Sequence, residues 1–315
     1  MVNSKKVVLI GTGMVGMSFA YSALNQNLCD ELVLIDINEK RVLGEVMDLN
    51  HGLAFSPSSM KIYKGSYIDC GDADVVVICA GVNQKPGETR LELLKRNASV
   101  FSAIVPEVVQ SGFEGIFVVA TNPVDIMTRI TYELSGFNAS KVIGTGTTLD
   151  TARLRYLMGE YFEVNPRNIH AYVIGEHGDS EFVPWSQALI TVKPIKDILT
   201  DNPRSYEMED LERIAGEVKG AAQQIIEAKG ATYYGIGVAL VKVVGAILRN
   251  ENTVLTISVR LRGEYGKKDV FIGNPCIVNS YGAKGLIELK LTEDELKKLD
   301  ESCNILNDSF KSISL

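Results

Sequence analysis

One segment near the N-terminus constrains this chain more than any other. It is Gly11-Thr12-Gly13-Met14-Val15-Gly16, directly after the apolar run Val7-Val8-Leu9-Ile10. A GxGxxG pattern alone is a weak signal. Here the run before it reads as a strand, the residues after it read as a helix to about Asn27, and Asp36 closes a second apolar run at residues 32–35, ~20 residues past Gly16. In that setting each position has a task. Gly11 permits a tight turn, Gly13 lets a pyrophosphate approach the backbone, and Gly16 lets the helix pack on the strand. Met14 and Val15 open the helix, whose first N–H groups and positive dipole end suit an anion. Asp36 would accept hydrogen bonds from ribose hydroxyls, and its charge would repel a 2′-phosphate. NAD is therefore expected rather than NADP. The competing reading is an ordinary glycine turn beside an exposed acid.

The rest of the first half agrees. β-Branched runs at residues 75–80 and 116–120 lack polar alternation, the mark of strands buried on both faces of a parallel sheet. Residues 92–109 have helical character, with a bend or break expected at Pro106. Residues 1–145 thus read as an α/β domain, a doubly wound Rossmann-type parallel sheet. After about Gly146 the rhythm changes. A helix over 149–161, a strand over 169–174 and a long helix over 206–228 ended by Gly230 are expected. Strands over 254–260 and 270–278 flank a turn at 263–266, and Thr292-Glu293-Asp294-Glu295 opens a closing helix with a capping box. Strands segregated from helices predict a C-terminal α+β domain over residues 146–315. No linker intervenes, so the two domains should pack tightly.

Composition excludes several classes of function. The net charge of −7 disfavours a nucleic-acid partner. The longest apolar stretch, residues 238–248, is broken by Lys242 and is too short for a bilayer. The run after Lys5 and Lys6 stops at Gly11, well short of a signal peptide, so a cytoplasmic protein without a membrane partner is expected. The five cysteines (Cys29, Cys70, Cys79, Cys276 and Cys303) are odd in number and form no CxxC pair. They read as buried reduced thiols, and no metal site is expected. No GxxxxGK[ST] loop occurs, and no tyrosine is followed four residues later by lysine.

Hydride transfer to a ketone needs a proton donor that titrates near neutrality, and histidine is the usual one. There are three histidines: His51, His170 and His177. His177 sits in the glycine-flanked loop Gly175-Glu176-His177-Gly178-Asp179-Ser180, after a strand. Its candidate partners are Asp150 and Arg153, three apart on a helix and so on one face. The carboxylate can orient an imidazole and the guanidinium can grip a substrate carboxylate. A surface ion pair is the plainer account of such spacing. Arg155 points about 200° away from Arg153. His51 has no assignable role.

With these residues the chain resembles the lactate and malate dehydrogenases over essentially its whole length. The matching segments are 11–16, Asp36, Gln84-Lys85-Pro86-Gly87-Glu88-Thr89-Arg90, Thr121-Asn122-Pro123-Val124, 149–153 and 175–179. The resemblance implies that His177 is the acid/base, protonated when pyruvate binds, and that Asp150 pairs with it. It implies that Arg153 binds the substrate carboxylate, that Asn122 places nicotinamide and keto group, and that Thr232 lines the pocket. Arg90 would ride on a mobile loop and polarise the carbonyl. Gln84 would face the C3 end of the substrate, where malate-specific members carry arginine. A neutral amide leaves a second carboxylate unpaired, so pyruvate and lactate are expected rather than oxaloacetate. Lys85 could reach the same site but reads more plainly as a solvated loop lysine. Arg155 and His170 resemble the pair that binds fructose 1,6-bisphosphate between subunits of a homotetramer. Malate or branched 2-hydroxy acids, and a non-catalytic NAD sensor, are the rival readings.

Overall fold

The computed structural model describes residues 4–82, 87, 89–202 and 204–313, with the side chain of Arg90 outside that set. Six parallel strands build the first half: β1 (Lys6–Ile10), β2 (Glu31–Ile35), β3 (Lys61–Lys64), β4 (Val75–Ile78), β5 (Ile116–Val119) and β6 (Val142–Gly144). They lie in the order β3-β2-β1-β4-β5-β6. That is the doubly wound Rossmann order, which reverses between β1 and β4 and opens a crevice at the carboxyl ends of those strands. The helices between them are α1 (Met14–Asn25), α2 (Glu39–Gly52), α3 (Arg90–Gln110) and α4 (Val124–Ser135).

The lack of polar alternation has a direct cause. In β1, Val8 and Ile10 enter one core with α3 and α4, and Val7 and Leu9 enter another with α1. β4 and β5 split in the same way, with Val76, Ile78, Phe117 and Val119 on one side and Val75, Val77, Ile116 and Val118 on the other. Each such side chain removed from water contributes about 1.5–3 kcal/mol. A polar residue on either face would forfeit that.

The second half begins with α5 (Thr148–Phe162) and a small sheet of β7 (Ile169–His170), β8 (Leu189–Ile190) and β9 (Lys193–Pro194). α6 (Ile195–Asp201), α7 (Met208–Lys229) and α8 (Tyr234–Leu248) follow. Then come β10 (Thr253–Arg262), β11 (Lys268–Asn279), β12 (Gly282–Leu286) and α9 (Glu293–Lys311). The last three strands are antiparallel to their neighbours and extend the first sheet, because β10 pairs with β6 through Ser258 and Gly144. Among the described residues, nine strands therefore form one continuous sheet. An added Cβ at Gly144 would lie 2.8 Å from the Ser258 Cβ, so only glycine lets the strands meet there.

Two expectations are corrected. α3 runs through Pro106 without a break, since one missing N–H removes a single bond from a helix of 21 residues held by its buried face. The strand expected over 169–174 is only the two residues of β7, followed by an isolated bridge from Ile174 to Phe182. The apolar stretch 238–248 is α8, which packs on α1. Among the described residues no helix is long and apolar enough to cross a membrane.

Candidate active site

The cofactor end of the site lies in the β1–β4 crevice. Gly11 has φ +101°, and a Cβ there would stand 2.4 Å from the Ala80 backbone nitrogen just past β4. A Cβ on Gly16 would meet the Gly11 carbonyl oxygen at 2.0 Å. These two contacts seat α1 on the end of β1. Gly13 caps α1 without any side-chain acceptor, and a Cβ on it would meet nothing within 4 Å. The mouth of the helix is thus open backbone, which fits a pyrophosphate. Asp36 follows β2. Its Oδ2 accepts from the Thr12 N–H at 2.8 Å and the Thr12 hydroxyl at 3.1 Å, and its Oδ1 from the Asn38 N–H at 3.0 Å. The carboxylate thereby pins the glycine loop to β2. Its four lone-pair sites leave room for a ribose hydroxyl.

Asn122 follows β5, is exposed, and precedes Pro123 through a cis peptide bond. Buried Asn97 of α3 donates from Nδ2 to the Asn122 carbonyl at 2.8 Å and accepts the Val82 N–H at 2.9 Å. The Asn122 backbone and the segment after β4 are therefore tied to one side chain.

The catalytic candidates converge on Asp150, in the first turn of α5, where the helix dipole favours a carboxylate. Asp150 Oδ2 meets His177 Nδ1 at 2.7 Å, and Asp150 Oδ1 accepts from Arg153 Nη1 at 2.9 Å. Asp150 is 2% exposed, whereas 27% of the His177 side chain reaches the surface. The His177 loop is held from three sides. Ile174 pairs with Phe182 and Gly175 with Gly273. The Ser302 hydroxyl of α9 accepts from the Glu176 N–H at 3.3 Å and donates to the Ser180 carbonyl at 2.8 Å. Asp125 of α4 takes the His177 N–H on Oδ2 at 2.8 Å.

Electrostatics follow from this packing. Burial alone would push the His177 imidazole down. The Asp150 carboxylate and its hydrogen bond outweigh that, helped by Glu181 and Asp125, and hold it up at about 9. Burial would likewise push Asp150 up, but His177 and Arg153 hold it below the ordinary carboxylate range. Burial raises Asp125 to about 6, against the pull of Ser258 and the His177 N–H, and among the described residues its Oδ1 makes no hydrogen bond that meets ordinary geometry. Glu181, 3% exposed, is pushed by burial and by the nearby Asp150 charge up to about 8.

The predicted residues divide as follows. His177, Asp150 and Arg153 are brought together. Gly11, Gly13, Met14, Val15, Gly16 and Asp36 line one end of the crevice, with Asn122 beyond the neighbouring strand ends. Thr232 stands between α7 and α8, three residues before Gly235, where an added Cβ would lie 3.0 Å from Cδ1 of Leu149, the residue before Asp150. Gln84 lies outside the described residues, as do Lys85 and Pro86. Arg90 is the first residue of α3, capped by Thr89, rather than part of a loop; its side chain lies outside the described set. Arg155 and His170 stand apart from the cluster. Asp125, Glu181, Asn97 and Ser302 were missed. Glu181 lies only four residues after His177, but that spacing by itself carries no sign of its burial.

Comparison with known proteins agrees with this geometry. The description "lactate/malate dehydrogenase, NAD binding domain" matches residues 5–144, and "lactate/malate dehydrogenase, alpha/beta C-terminal domain" matches residues 147–314. L-lactate dehydrogenase 2 of Bacillus cereus is 52% identical over 308 residues, 98% of each chain. An L-lactate dehydrogenase of a Geobacillus species is 55% identical over 303 residues, 96% of this chain and 95% of that one. The minor L-lactate dehydrogenase of Enterococcus mundtii, in its ligands-bound form, superposes with a TM-score of 0.97 at 47% identity over 99% of both chains. NAD is the cofactor, and this chain belongs to the lactate/malate dehydrogenase family.

Proposed function

We propose that the chain interconverts pyruvate and L-lactate, with residues 1–145 holding NAD and residues 146–315 supplying the substrate side. The observation that carries this reading is the shared carboxylate of Asp150, which fixes a proton donor and a carboxylate-binding guanidinium on one face of α5. NAD supplies or accepts the hydride. His177 gives a proton to the developing alkoxide and takes it back in the reverse direction. With Nδ1 engaged by Asp150, Nε2 is the nitrogen left to face the substrate oxygen. Arg153 grips the substrate carboxylate as a bidentate fork. Arg90 polarises the carbonyl, Asn122 orients nicotinamide and keto group, and Thr232 closes the pocket wall.

Gln84 selects the substrate, because a neutral amide offers oxaloacetate no counter-charge. The test compares NADH oxidation with pyruvate, oxaloacetate and a branched 2-keto acid. Pyruvate should have the highest kcat/KM by ~10²-fold or more, since stranding a charge costs several kcal/mol. Gln84→Arg should move the preference towards oxaloacetate. Comparable kcat/KM for pyruvate and oxaloacetate in the wild type would overturn the assignment.

Activation by fructose 1,6-bisphosphate at Arg155 and His170, between subunits of a cytoplasmic homotetramer, belongs to the same proposal. Its support is that Arg155 Nε donates at 3.0 Å to the carbonyl of Ala171, the residue after exposed His170. The guanidinium also stacks 4.9 Å from the Tyr172 ring centroid. Arg155 thus lies beside the backbone that follows His170, on a face of α5 that Arg153 does not share.

A further inference from the structure

Glu181 has no place in the chemistry above, yet it is one of the most deeply buried acids of the chain. The Ile174–Phe182 bridge sets its position at the end of the His177 loop, and its N–H closes the loop on the Gly178 carbonyl at 3.3 Å. A carboxylate oxygen of Glu181, one of Asp150 and a ring nitrogen of His177 all lie within 4.8 Å of one another. A second buried carboxyl group at that distance lies within electrostatic reach of the imidazole that Asp150 already holds.

We propose that Glu181 is a positioning residue for proton transfer: it faces the His177–Asp150 pair as a second carboxyl group and determines how far into alkaline solution the imidazole keeps its proton. The inference rests on His177 being the acid/base. The charged groups facing Glu181 are Asp150 and Arg153 of α5, Lys219 of α7 and His177 itself. His177 is faced by Asp150, Glu181 and, from α4, Asp125.

These groups work as one unit. Near neutral pH Glu181 holds its own proton, because burial and the Asp150 charge oppose ionisation. Both groups are held above their ordinary ranges, His177 by the Asp150 charge against burial and Glu181 by burial and Asp150, so Glu181 ionises only as the pH rises above neutral. The new negative charge then opposes loss of the His177 proton. Glu181 and His177 thus titrate as a coupled pair, and a carboxylate at Glu181 holds the proton on the imidazole.

The experiment is an NMR titration of the enzyme labelled at histidine, with His51 and His170 as internal references. Wild type, Glu181→Gln and Glu181→Asp are compared, each beside its pH profile of kcat/KM for pyruvate. In Glu181→Gln the His177 midpoint should fall by about one pH unit, and that of Glu181→Asp should lie between Gln and wild type. His51 and His170 should not move. A His177 midpoint unchanged in both variants overturns the proposal, whatever happens to activity. Failure of the acid/base assignment looks different: the midpoint moves but the kinetic profile does not follow it.

Discussion

His177 meets Asp150 through Nδ1 at 2.7 Å, which turns Nε2 away from the carboxylate and fixes the ring before any substrate arrives. The orientation is built from the backbone upward, because Asp125 holds the His177 N–H from the far side. Asp150→Asn should therefore remove both the orienting charge and the support of the imidazolium. We expect kcat/KM for pyruvate to fall by ~10²–10⁴-fold at neutral pH, with NADH affinity retained. Steady-state kinetics beside fluorescence titration of NADH decide this. A loss under tenfold would place the orienting force elsewhere.

The direction of catalysis should respond to pH in opposite senses. His177 is held up at about 9 by Asp150 against the downward push of burial. On the proposed role, the protonated imidazole is the donor for pyruvate, so pyruvate reduction should persist below that value and be lost as pH rises through it. Lactate oxidation should need the neutral ring and gain over the same interval. Parallel profiles of kcat/KM on the free enzyme test this, and profiles of the same sign would contradict it.

Ser302→Ala should loosen the acid/base without touching it. The hydroxyl holds both the Glu176 N–H and the Ser180 carbonyl, and the side chain is fully buried. Leaving those groups unpaired costs about 1–3 kcal/mol. The expected result is a lowered Tm and a roughly tenfold smaller kcat, with NADH binding unchanged. An unaltered kcat would show that the loop holds its shape through its two bridges and Asp125 without Ser302.

Gly11→Ala should fail at the level of the cofactor. Its Cβ would stand 2.4 Å from the Ala80 nitrogen, and the φ of +101° resists any side chain. The backbone must shift, at a cost of about 2 kcal/mol or more. Calorimetry and NADH titration should both show the damage. Wild-type NADH affinity would mean that the turn is not the anion seat.

Arg155→Gln should abolish any response to fructose 1,6-bisphosphate and leave the assembled enzyme active, since Arg153 and His177 are untouched. Pyruvate saturation curves with and without the bisphosphate, beside sedimentation, read the effect. Identical wild-type curves at low protein concentration would make Arg155 and His170 ordinary surface residues.

What the sequence revealed and what it concealed have physical reasons. β1, β4 and β5 were legible because burial on both faces leaves unbroken apolar runs. α8 was visible only as an apolar stretch, because burial of so much of its surface erases helical periodicity. Asp150 and Arg153 were legible because they are helix neighbours. Asp125 reaches His177 across 52 residues, with no local pattern to announce it. Glu181 stood in view four residues after His177, but nothing in its spacing distinguishes a buried carboxyl from a solvated loop acid.

The pairing of Gly144 with Ser258 has a consequence for biosynthesis. As the polypeptide leaves the ribosome, β6 emerges long before β10 exists to cover its edge. The outer surface of α1 likewise waits for α8. The nascent first half must persist with a bare strand edge and an uncovered apolar helix, the state most open to wrong partners and to chaperones. Maturation is complete only when the chain returns from residue 253 to close the edge that it left at residue 144.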